Sequence, residues 1–201
     1  VSPDIAQEIA SRLGVEVEFV CYLDPGAVCD AAELGEWDIG NIGAEPQRAE
    51  TIAFTSAYCE IEATYLVPAG SRLQSISDVD QSGIRIATKG RAAYGLWLEK
   101  NLRHAQLVRS GSIDASFDDF VAQGLEVLAG LKPRLLRDVE RLPGARILEG
   151  KFSAVQQSVG TPRKNTNAAA WLAATVEELK ASGFVAGAIA KHNVQGLTVA
   201  P

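Results

Sequence analysis

Apolar residues along the chain recur with two periods. In "SPDIAQEIASRLG", Ile5, Ile9 and Leu13 return every four residues, which predicts a helix with one buried face. Ser2 is its candidate N-cap, Pro3 stands at the first helical position and Gly14 ends it. "VEVEFV" then alternates residue by residue, as a strand does. Asp24 and Pro25 open a second helix that stops near Gly35, and "WDIGNI" is the next strand. "EIEATYLVP" predicts a longer strand. "GIRIAT" predicts another, running through a glycine-marked turn into the helix "KGRAAYGLWLEKNL". "AQLVR", "LEVLAG", "ARILE" and "FSAVQQSVGTP" read as further strands. Between them lie helices at "SIDASFDDFVAQG", capped by Ser112 and closed by Gly124, and at "LKPRLLRDVERL". Two helices, "NTNAAAWLAATVEELKASG" and "FVAGAIAKHN", finish the pattern.

Strands that alternate with helices predict an α/β fold, with mostly parallel sheets and helices on both faces. In such sheets ligands sit beyond the carboxyl ends of the strands. The loop after "WDIGNI" and the turn after "GIRIAT" both meet that rule, on either side of the long "EIEATYLVP" strand. This predicts two lobes, residues 1–62 with 168–201 and residues 63–167, joined through that strand as a hinge, with the two loops facing a cleft.

Composition narrows the classes. Hydrophobic residues make up 47% and charged residues 22% of the 201, as in an ordinary globular protein. The net charge of −6 leaves no basic surplus to neutralise phosphates, which argues against nucleic acid as a partner. No apolar run reaches the roughly 18 residues of a membrane span. There is no methionine, and the sequence opens at the edge of a helix, which reads as a processed or truncated chain. Cys21, Cys29 and Cys59 show neither CxxC spacing nor a nearby histidine pair, so neither a metal site nor a cofactor is expected. They read as small buried or half-buried thiols, with a Cys21–Cys29 disulfide open as an alternative in an exported protein. His104 and His192 fall at or near helix ends, where capping explains them better than catalysis.

One stretch breaks the pattern. "WDIGNIGAEPQRAETIAFTSAY" (37–58) leads a buried strand into a Gly- and Pro-marked loop with a single arginine, then returns to the core. A glycine-rich loop at a strand end exposes backbone N–H groups, and Arg48 adds a planar fork suited to a carboxylate. The alternative is a surface arginine pairing with Glu45 or Glu50.

The same stretch resembles the first-lobe signature of the family 3 extracytoplasmic solute-binding proteins of ABC importers, which have the type II periplasmic-binding-protein fold. Asp38, the loop Asn41 to Glu45, Arg48 and "IAFTSAY" carry the likeness. "EIEATYLVPAGS" resembles the strand passing into lobe two, "SISDVDQSGIRIATKGRAAYGLWLEKNL" the opening of that lobe, and "AAAWLAATVEELKASGFVAGAIAKHN" the closing helix pair. The resemblance implies a monomeric periplasmic binder of a small carboxylate-bearing solute, amino acid or organic acid, that delivers it to a membrane permease. It implies that Arg48 grips the carboxylate, with hydrogen bonds from Asn41 and the Gly43 backbone. In lobe two the turn Gly90, Arg91 and Ala92 would bind the same anion at a helix N-terminus, with Tyr94, more than Trp97, as an aromatic neighbour.

The chain departs from the family in two places. The family begins with a strand and hairpin ahead of the first helix, and this sequence starts after that point. Its amino-acid binders also carry a lobe-two aspartate for the α-ammonium, where "LAGLKPRLL" here offers Leu131 and Lys132. Lys132, Arg91 and Arg48 would then favour extra negative charge, and a carboxylate without an α-amino group would bind at least as well as its amino-acid counterpart. Lys132 reads equally as a solvated helix-start lysine.

No nucleophile–base pair is visible, so the expectation is a binder rather than an enzyme. The alternatives are a cyclohexadienyl-dehydratase-like enzyme on the same fold, with Glu45, Glu60 or Glu62 as its acid, and a sensor module without transport.

Overall fold

The structure is a computed structural model describing residues 1–201. In chain order it forms α1 (Ser2–Leu13), α2 (Pro25–Leu34), β1 (Gly40–Gly43), β2 (Ile52–Val67), β3 (Arg85–Lys89), α3 (Ala93–Asn101), β4 (Gln106–Ser110) and α4 (Ile113–Ala122). β5 (Val127–Leu131), α5 (Lys132–Glu140), β6 (Arg146–Ile147), β7 (Ser153–Pro162), α6 (Thr166–Ala181), α7 (Phe184–His192) and β8 (Leu197–Val199) follow.

Packing divides the chain into two units, Val1–Glu60 with Gln156–Pro201, and Ile61–Val155. The expected boundaries at residues 62 and 168 shift accordingly. Residues 156–167 join the first unit because β7 pairs antiparallel with β1 there, Gly40 opposite Gly160 and Gly43 opposite Gln157.

In the first unit, Gly14 takes the left-handed conformation (φ 67°) and ends α1, its N–H reaching the carbonyls of Ala10 and Ser11. The buried face of α1 is Ile5, Ala6, Ile9 and Ala10, while Leu13, expected on that face, is exposed. Asp24 caps α2 by accepting from the Ala27 N–H at 3.0 Å. The Trp37 indole N–H donates to the Val28 carbonyl, and its ring lies where a Gly40 side chain would stand. Ala31, Ala32, Trp37, Ile42 and Ile52 form the core around β1.

The expected strand at 15–20 does not form. Residues 15–22 have no ladder, and Val15, Phe19 and Val20 are half exposed. Alternation makes a strand only where a neighbour supplies hydrogen bonds, and none lies against this segment.

The second unit has a core on each sheet face, set by alternation along its strands. Tyr65, Ile86 and Val127 point to one face with Leu98 of α3. Leu66, Ala87 and Leu128 point to the other with Phe117 and Phe120 of α4 and Leu135 of α5. β3 runs parallel to both β4 and β5, and β2 joins antiparallel to β5 and β6. The parallel part of this mixed sheet is therefore β4–β3–β5.

Candidate functional site

Each unit holds one part of the expected site. In the first, β1 ends at Gly43 and a 3-10 turn follows at Arg48–Glu50. Glu45 starts the turn, its carbonyl accepting from the N–H groups of Arg48 and Ala49. This folds the chain back so that the Arg48 Nη1 donates to the Gly43 carbonyl at 2.7 Å. Arg48 is only 6% exposed, so it does not lie on the surface. A buried guanidinium oriented by a backbone carbonyl is a fixed fork, suited to a planar anion. On β1, Asn41 and Gly43 share a face, and Ile42 points oppositely into the core. The Asn41 Oδ1 is buried and has no hydrogen-bond partner. Such an atom costs about 1–3 kcal/mol unless something pairs with it.

In the second unit the carboxyl ends of β3, β4 and β5 lie at one end of the parallel sheet. Helices α3 and α5 start there, with Ala92 and Leu131 as N-caps, and neither receives a side-chain cap. Their first-turn N–H groups and positive dipole ends make this end electropositive. The expected turn leads into α3. Gly90 donates its N–H to the Ser110 carbonyl at 3.1 Å, Arg91 is exposed in the left-handed region (φ 62°), and Ala92 is buried. A side chain on Gly95 would stand 2.8 Å from the Lys89 carbonyl, so glycine there lets the first turn of α3 settle on the end of β3.

Two expected residues are placed differently. Tyr94 is 5% exposed within the core and shares a hydrogen bond with the Lys89 backbone. Burial pushes its phenol up to about 12. It is therefore held in the core, where it borders a small cavity with Gly130, Leu131 and Arg134. Lys132 is not a surplus cation, because its Nζ lies 2.6 Å from Glu62 Oε2. The antiparallel register Ala63–Leu131, carried on one residue, sets these two side chains opposite each other.

Sequence reasoning passed over Lys89 and Thr88. Lys89 is 5% exposed, and its Nζ donates to the Gly90 carbonyl at 2.6 Å. The Thr88 hydroxyl is buried with no partner, against Gly95. A lysine closing a strand directly before a glycine turn was the available signal. Of the candidate acids, Glu60 accepts from Gln156 Nε2 at 3.0 Å, and Glu62 is held by Lys132. Cys21, Cys29 and Cys59 are thiols, with no disulfide between Cys21 and Cys29. His192 closes α7 and contacts Asp4 at 2.7 Å.

The fold is shared with solved binding proteins. The P235GK mutant of ArgBP from T. maritima matches with a TM-score of 0.76 at 21% identity, over 94% of this chain and 82% of that one. A putative ABC-transporter binding component from Wolinella succinogenes, complexed with lysine, matches with a TM-score of 0.80 at 14% identity, over 94% and 83%. The ancestral amino-acid-binding protein AncCDT-1, a precursor of cyclohexadienyl dehydratase, matches with a TM-score of 0.76 at 18% identity, over 94% and 83%. These likenesses establish a two-lobed periplasmic-binding-protein-like α/β fold. No curated protein matches the chain. The model of the bacterial extracellular solute-binding proteins, family 3, matches residues 1–195, and the chain belongs to that family.

Proposed function

We propose that this protein is the extracytoplasmic substrate-binding component of an ABC importer, taking a small solute by its carboxylate. The buried Arg48 carries the reading. A guanidinium this deep, oriented by its own loop, has the chemistry of a carboxylate anchor, while the unpartnered Asn41 oxygen on the same strand can accept only from a donor on the ligand. In the second unit the uncapped first turn of α3 offers N–H groups to an anion, whereas those of Gly90 and Ala92 already donate to the carbonyls of Ser110 and Lys89. Family membership supports a solute-binding role, and the named neighbours that bind amino acids agree with a carboxylate ligand.

The likeness to AncCDT-1 favours a second reading, a dehydratase. That chemistry needs an available acid, and Glu60 and Glu62 are engaged by Gln156 and Lys132, while Glu45 has an interaction of its own in the loop that carries Arg48. Binding without turnover is the better account. A thermal-shift screen against amino and organic acids, followed by calorimetry, tests it. At least one carboxylate should raise the melting temperature of the wild type. Turnover of a prephenate-like acid would establish the dehydratase instead, and a screen without any stabilising carboxylate would reject the reading.

A further inference from the structure

We propose that Lys132, held on Glu62, is a specificity-determining residue that makes the second unit's site select carboxylates lacking an α-ammonium. This rests on the carboxylate-binding reading above.

A ligand ammonium taken out of water needs a carboxylate partner. Three acids stand at the carboxyl end of the parallel sheet, and each is engaged within the protein. Glu62 Oε2 lies 2.6 Å from Lys132 Nζ, and Asp114 Oδ1 lies 2.6 Å from Arg134 Nη2. Asp119 accepts from the Ser110 hydroxyl at 2.5 Å. Glu62 is the one whose partner opens α5, at the carboxyl end of β5. The parallel register Ala87–Leu128, carried on, sets Gly90 level with Leu131 and Arg91 level with Lys132. Lys132 is the first residue of α5, directly after β5, the strand that pairs with β3 ahead of the proposed anion turn, and its Nζ meets Glu62 of β2. The pair is about one-third exposed on each side, so solvent and ligand reach it.

Two effects act in the same direction. The lysine occupies the carboxylate that an ammonium would use. With that carboxylate neutralised, the uncapped positive ends of α3 and α5 are left to disfavour a second cation. A carboxylate without an amino group avoids all of these costs.

Calorimetry on matched pairs tests this: L-glutamate against glutarate, L-aspartate against succinate and L-leucine against isocaproate. The wild type should bind the amino-free member of at least one pair as tightly as its amino acid, or more tightly. Lys132→Met and Lys132→Gln release Glu62 and should move the ratio toward the amino acid by about tenfold or more. Lys132→Arg keeps the pair and should leave the ratio in place, whereas a merely stabilising ion pair would leave it in place in the Met and Gln variants as well. A wild type that binds the amino acids more tightly overturns the proposal, as does an unmoved ratio in both Met and Gln variants. In those cases carboxylate binding itself stands. If none of the six acids binds the wild type, the carboxylate reading falls and this inference with it.

Discussion

Arg48 reaches back to the carbonyl of Gly43, five positions earlier and 2.7 Å away. The bond joins the end of β1 to the turn that follows, and it sets the direction of a guanidinium that solvent barely touches. Arg48→Ala leaves the Gly43 oxygen without this donor, so stability should drop by about 1–3 kcal/mol. Carboxylate affinity should fall by about ten- to a hundredfold. Arg48→Lys separates the effects, since an ammonium can still serve Gly43 but cannot present a fork. Chemical denaturation should show Lys near wild type while calorimetry shows binding still impaired. Wild-type affinity in the lysine variant would remove Arg48 from the site.

Asn41 carries the opposite trade. Its Oδ1 is buried with nothing to accept from, a cost in the unliganded protein. Asn41→Ala should leave the melting temperature unchanged or raise it by a degree or so, on the order of the penalty relieved. Ligand affinity should weaken by about three- to tenfold. Loss of stability with intact binding would show Asn41 to be structural.

The sequence made the order of elements legible because most of them announce themselves locally. Gly14 and Gly35 end their helices in the left-handed conformation, and Asp24 and Ser112 cap theirs as their positions suggest. Arg48 drew notice through the likeness of its whole stretch to the family's first-lobe motif, since a lone arginine in a loop reads as readily as a surface residue. What failed depended on partners far along the chain. Lys132 looked like spare charge because its partner Glu62 is seventy positions away and meets it only through the β2–β5 register. Tyr94 looked available because it stands in the first turn of α3, directly after a glycine turn, and only its burial among the second unit's core residues reveals it as core. Residues 15–20 alternate convincingly, yet alternation cannot report whether a neighbouring strand exists.

That segment yields its own expectation. Residues 16–23 draw no backbone ladder, whereas Ala63 to Leu66 pair with Leu131 to Leu128 in the interior of the second unit. Hydrogen exchange should be close to unprotected rates in the first stretch and orders of magnitude slower in the second. Protection across 16–23 would mean that a strand pairs with it in solution, and this expectation would then be wrong.

Alkaline pH should unfold the protein through its buried acids. Burial pushes the Cys59 thiol from 9.0 up to about 12. It likewise pushes the Tyr94 phenol from 10.0 up to about 12, against a hydrogen bond from the Lys89 backbone that acts the other way. Tyr58 and Tyr65 are raised for the same reason. In the unfolded chain these groups ionise at their ordinary values, while the folded protein holds their protons. The unfolded state therefore binds fewer protons, and stability falls as pH rises. The contribution is complete below pH 9, declines as the unfolded thiol and then the unfolded phenols ionise, and is spent as pH approaches the folded values near 12. Urea midpoints measured from pH 7 upward should be level at first and then fall. Cys59→Ala removes the earliest part, so its decline should begin about one pH unit later, at the phenols. A midpoint that stays level to pH 11, or a Cys59→Ala curve parallel to wild type, would show that these buried groups are not what limits alkaline stability.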